Sequence, residues 1–229
     1  MLKNLIQLHI RQSAELPAAP AARQWLEQLP AALAALPDAA ALQRLYSTAA
    51  RSLQPLSQLP RQLQPELERA GAIAPLDWRP GDIGRLLLLL SLPESRDGQA
   101  HPCFARLYRG GDAGEQQSLL RALPLLPAPE RHLPLAIDAC RSHIQGCFEA
   151  IACENGYPAR FFPELNFNQM VLKALFTRTP LSRIHGLRHR LTPQLRRMAA
   201  DLASERQATQ ADIPDDVYLI LKGSRHENV

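Results

Sequence analysis

FNQMVLKALF, residues 167–176, decides the fold class of this chain. Each residue of an α-helix advances about 100°, so Phe167, Met170, Val171, Ala174 and Leu175 share one face, widened by Leu172 and Phe176. Asn168 intrudes on that apolar arc, whereas Asn166, Gln169 and Lys173 mark the solvated side. A buried amide left without hydrogen-bond partners costs about 1–3 kcal/mol. Asn168 is therefore either a clamp that ties the helix to the adjoining GYPARFFP stretch (156–163), read as a loop, or the wall of a pocket completed by Arg160, Tyr157 or Lys173; the sequence favours the clamp.

The same composition extends outward. Hydrophobic residues make up 46% of the 229, dominated by Leu and Ala, with valine only at Val171, Val217 and Val229. Such residues form helices readily and strands poorly. The 20 prolines recur along the chain and keep the helices short. The expected fold is all-α: an irregular, right-handed α-solenoid or multi-helix bundle of about ten short helices.

Segments 2–15, 21–36 and 38–53 read as helices, the last with Asp38 as N-cap. PLSQLPRQLQP (55–65) is either a short helix or a linker. In WRPGDIGRLLLLLSLP, Pro80 and Asp82 open a helix and Pro93 stops it. ESRDGQAH (94–101) is a polar loop, and PCFARLYRGG after it ends on two glycines suited to a helix C-terminus. Asp112 with Glu115 forms a D-x-x-E capping box opening the next helix. Further helices are expected from about 129 to 142, over IQGCFEAIACEN, after Pro163, after Thr179-Pro180, at 193–208 and in IPDDVYLIL. Two parts follow, residues 1–93 and 100–222, expected to pack as one compact unit.

The net charge of +4 comes almost wholly from arginine, since Lys3, Lys173 and Lys222 are the only lysines. Between Arg178 and Arg197 lie six arginines and no acidic residue, a density that could face phosphates, an acidic partner or plain solvent. Nucleic acid is a poor fit, because the run lacks interleaved aromatics. His185 and His189 have i, i+4 spacing, but Gly186 interrupts them and no HExxH glutamate is present, so no metal site is expected. Cys140 and Cys147 are about 10 Å apart along a helix axis, and the four cysteines are read as buried packing groups. No thiol-enzyme, G-x-S-x-G or glycine-rich phosphate motif is recognisable. The N-terminal MLKNLIQLHIRQSAE is amphipathic without a secretory pattern, and the apolar run at 86–92 is too short to span a bilayer. A cytoplasmic protein without a transmembrane segment is expected.

Four ordered stretches carry a resemblance. Leu123–Arg131, Phe148–Ala159, Phe167–Phe176 and Pro180–Leu187 resemble the EboA family of metabolite-traffic proteins. The likeness covers about residues 104–210; before it, only Arg85–Leu90 matches weakly, and the role of the first hundred residues stays open. The resemblance implies a cytoplasmic helical accessory protein that helps move a metabolite or its precursor toward the periplasm, with a membrane prenyltransferase or other pathway proteins and a small, isoprenoid or aromatic metabolite as partners. It implies no cofactor and carries no catalytic residue. Candidate ligand- or partner-binding residues are Asn168, Gln169, Lys173, Arg160, Arg183 and Arg188. The favoured function is a non-enzymatic adaptor or carrier; the alternative is an enzyme acting on a small phosphorylated or isoprenoid metabolite, built from groups such as Glu164, Arg160 and His185.

Overall fold

Every residue from Gly81 to Leu89 is buried, so the helix that carries them is surrounded by protein on all sides. It is α5 (Pro80–Ser91) in a computed structural model that describes residues 1–14, 19–34, 39–74, 77–92 and 102–222. Around it run α1 (Leu2–Ala14), α2 (Pro20–Ala34), α3 (Ala39–Leu53), α4 (Leu59–Ala70), α6 (Pro102–Gly110) and α7 (Ala113–Ala122). The chain continues through α8 (Leu133–Ala139), α9 (Gln145–Ala152), α10 (Tyr157–Phe161), α11 (Glu164–Phe176), α12 (Pro193–Ala208) and α13 (Val217–Lys222). Among the described residues there are thirteen helices and no strand, an all-α fold.

Two compact units divide the chain, Met1–Ala150 and Ile151–Val229. In the first, α5 packs on α3, α7, α1 and α4. Its crossing with α3 is set by Gly81, where a Cβ would come within 2.6 Å of the Ala50 Cα; any larger residue would push the two backbones apart. In the second, α11 packs on α12 and α12 on α13, burying Phe167, Met170, Val171, Leu195, Ala199, Leu202, Val217 and Ile220.

Several local signals act as their chemistry requires. Asp112 accepts from the Glu115 N–H at 2.8 Å while Glu115 accepts from the Asp112 N–H at 3.2 Å, closing the expected capping box. Thr192 caps α12 by accepting from the Leu195 N–H at 3.2 Å. The undecided stretch 55–65 contributes to α4, which starts with Pro60 in its first turn and runs through Pro65. GYPARFFP, expected as a loop, contains the short helix α10, because Pro158 in the first turn supplies a ready-made helical φ. That helix and α4 bring the number above the expected ten, while 129–142 becomes a 3-10 turn followed by α8. Asp38, Pro93 and the 94–101 segment lie outside the described residues, as does the expected boundary between the two parts.

Inside the first unit α3, α5 and α7 meet at charged groups as well as at apolar ones. Arg85 of α5 is 8% exposed, and Asp82 and Glu115 are 4% and 5% exposed. Arg85 donates to the Tyr46 carbonyl at 3.2 Å and to Ser118 Oγ at 2.9 Å, and lies 3.8 Å from Glu115 Oε1. Its guanidinium also sits 5.2 Å from the Tyr46 ring centroid, a cation–π contact. Ser118 in turn donates to Asp82, whose other oxygen accepts from the Arg79 N–H at 2.8 Å. Arg121 reaches Asp82 at 3.6 Å, so two acids face two bases. Removing one member of a buried pair strands the other charge, which costs about 3–5 kcal/mol. Arg85→Met should lower unfolding stability of the full chain by about that amount, and adding Glu115→Gln should recover part of it. Urea denaturation of both variants decides the matter; a single variant within about 1 kcal/mol of wild type would show that the charges do not depend on Arg85.

Candidate functional site

The first unit carries an open cleft of about 580 Å³. One wall is a single face of α3, where Ala40, Gln43, Arg44, Ser47 and Thr48 recur at helical spacing, and the other is Arg106 and Gly110 of α6. Arg44 and Arg106 are exposed, and among the described residues neither is in an ion pair. The hydroxyls of Ser47 and Thr48 donate to helix carbonyls, Gln43 O at 2.9 Å and Leu45 O at 3.0 Å. Their oxygens are thus left to accept.

Gln43 joins the cleft to the buried charges. Its Nε2 donates to Glu115 Oε2 at 2.7 Å, which fixes the amide so that Oε1 lies beside Gly110; a Cβ there would be 3.4 Å from that oxygen. Behind it, Tyr46 donates to the Glu115 carbonyl at 3.1 Å, and burial raises its phenol far above the usual range. Cys103, one turn before Arg106 on α6, has its thiol pushed up to about 12 by burial, against the pull of Arg106. It is a packing group and a poor nucleophile at neutral pH. Burial likewise lowers the pKa of His132, which leans on Phe104 with ring centroids 4.5 Å apart.

In the second unit α11 buries Asn168 to 1% exposure, as its place in the apolar arc requires. Neither Oδ1 nor Nδ2 has a hydrogen-bond partner. The clamp expected of Asn168 is made by Arg190, whose guanidinium donates to Ala159 O at 2.6 Å and Phe162 O at 2.7 Å and lies 4.6 Å from the Phe167 ring centroid. Arginine reaches where asparagine cannot, and its planar fork serves two carbonyls while its face covers a ring.

The other candidates are spread out. Gln169 and Arg188 are exposed, Lys173 is half-buried, and Arg160 is exposed over the Phe161 ring at 5.1 Å. Arg183 is held by Glu154 through two bonds of 2.9 Å, while the Glu154 N–H donates back to the Arg183 carbonyl at 2.9 Å. That grip also holds Glu154 at φ 45°, in the left-handed region a glutamate rarely enters. Arg178 pairs with Asp212 at 2.7 Å. Arg178, Arg183 and Arg190 are therefore engaged within their unit, Arg178 at an exposed position, and Arg188, Arg196 and Arg197 are exposed with no ion pair among the described residues. Glu164, Arg160 and His185 are all exposed. All four cysteines are buried, with no disulfide and no group of three or more potential metal ligands among the described residues.

Comparison with known families gives a match over residues 3–222 to the family described as metabolite traffic protein EboA. The chain belongs to the EboA family. The match starts almost at the first residue, so the EboA character extends well beyond residues 104–210 and takes in the α3–α6 cleft. No curated protein and no solved structure matches the chain significantly.

Missed by sequence reasoning were Gln43, Arg44 and Arg106 of the cleft and Arg85 behind it. For Arg85 a signal existed: an arginine that opens five consecutive leucines in a helix must be buried and paired. Arg44 and Arg106 carried none, because they meet only through the crossing of two helices far apart in sequence.

The orphaned amide makes a sharp prediction. Replacing Asn168 by leucine, which has a similar volume, removes two unsatisfied polar atoms and should raise stability by about 1 kcal/mol or more. A thermal melt that shows a loss above about 2 kcal/mol would mean that the amide has a buried partner.

Proposed function

We propose that this EboA-family protein is a non-enzymatic carrier or adaptor in metabolite traffic, binding a small biosynthetic product or precursor in the cytoplasm and presenting it to membrane-bound pathway enzymes for passage toward the periplasm. The observation that carries this reading is the α3–α6 cleft. Its volume is of the order that encloses a small molecule. Ser47 and Thr48 on it are fixed by bonds to their own helix and Gln43 by Glu115, and a neutralised charge cluster lies behind them. A rigid wall of that kind binds without paying for reordering at each cycle.

The family description supports the traffic role in general terms. That no helix among the described residues is long and apolar enough to cross a membrane agrees with a protein that meets the bilayer through partners. In the second unit, exposed Arg188, with Gln169 and Arg160, is proposed as the surface that meets a partner protein; Arg183, gripped by Glu154, shapes that surface without contacting the partner.

Native mass spectrometry of the full-length protein, purified under mild conditions from cells expressing its pathway neighbours, tests the proposal. A retained small molecule that is lost on denaturation is expected. A ligand-free, partner-free mass from such cells would contradict carrier and adaptor action together.

A further inference from the structure

We infer that the α3–α6 cleft recognises a small organic phosphate, gripped by Arg44 and Arg106 from opposite walls. This rests on the carrier reading of the same cleft and goes beyond it by naming the chemistry of the cargo. Four observations carry it.

First, both arginines border the cleft, and neither is in an ion pair among the described residues. No carboxylate is among the described residues that line the cleft, so the two guanidinium groups are the charges that border it. Second, the hydroxyls that could have solvated an anion are already spent: Ser47 and Thr48 donate to Gln43 O and Leu45 O. Donors toward a ligand therefore come from the two guanidinium groups, which suits an oxyanion. Third, the arginines arise from two different helices. A carboxylate offers two oxygens, whereas a phosphate monoester offers three and a larger charge, which favours it between two guanidinium forks. Fourth, the Gln43 amide nitrogen spends one of its two N–H groups on Glu115 at 2.7 Å and so faces α7. Gln43 presents Oε1 instead, an acceptor that leaves the negative group to the arginine side, while Ala40 and the Thr48 methyl offer surface to an apolar remainder.

Calorimetric titration of the full chain with octyl phosphate, octanoate, octanol and inorganic phosphate tests the inference, in wild type and in Arg44→Gln/Arg106→Gln. Both arginines are exposed, so the double variant should keep its helicity and urea midpoint, which circular dichroism checks. Octyl phosphate is expected to bind wild type at least tenfold more tightly than octanoate or octanol, and the double variant should lose at least tenfold. Inorganic phosphate separates two sources of the same chemistry. Weaker binding than octyl phosphate, equally lost in the variant, supports an amphiphilic cargo; equal binding supports a free anion at the same arginines. Octanol or octanoate binding as tightly as octyl phosphate would overturn the phosphate assignment while leaving the carrier reading intact. An undiminished double variant would overturn the role of the arginines. A small molecule retained in native spectra that carries no phosphate would likewise overturn the inference and leave the carrier reading standing, whereas a ligand-free spectrum brings down that reading itself.

Discussion

Burying Arg85 constrains the first unit more than any apolar contact does. A guanidinium at 8% exposure has given up most of its water, and the interior around it must answer with acceptors in fixed places. Those places are the Tyr46 carbonyl on α3 and Ser118 and Glu115 on α7, so one side chain on α5 specifies how three helices meet. Within a largely leucine core, this buried polar network holds the three helices to one alignment. Gly81 completes the constraint by letting the α3 backbone come close enough for the bonds to form.

The cleft inherits that rigidity. α3 uses its buried residue Tyr46 to join the charge cluster and its neighbours Gln43, Arg44 and Ser47 to line the cleft. Gln43 belongs to both, with its amide nitrogen on Glu115 and its amide oxygen beside Gly110. Electrostatics divides the labour: the interior cluster balances two acids with two bases, while the cleft keeps two cations with no acid of the described protein upon them. The second unit is built otherwise. There arginines are turned inward on carbonyls, a ring and Glu154, and among the described residues the buried Asn168 is left with neither donor nor acceptor satisfied.

Much of this was legible in the sequence, for identifiable reasons. The all-α class followed from leucine, alanine and scarce valine, and α12 starts where Thr192-Pro193 says it must, because capping is local chemistry. The burial of Asn168 was legible from 3.6-residue periodicity. Its partner was not, since a hydrogen bond depends on what approaches from elsewhere; Arg190, 23 positions from Phe167, took the part given to Asn168. Asp82 and Glu115 read as helix caps, which they are, but their carboxylates also meet a hydroxyl, an amide and guanidinium groups across the unit, and pattern within one helix cannot reveal that. The EboA signature drew attention to residues 123–187, whereas the cleft lies in the part with the weakest local motif.

Hydrogen exchange, followed by mass spectrometry on the full chain with and without saturating octyl phosphate, tests the location of the site most directly. Ligand-dependent protection should appear in residues 39–53 and 102–110, the two walls of the cleft, and leave residues 164–176 unchanged. Protection confined to residues 164–176 would contradict the account and move the site to the orphaned amide of α11.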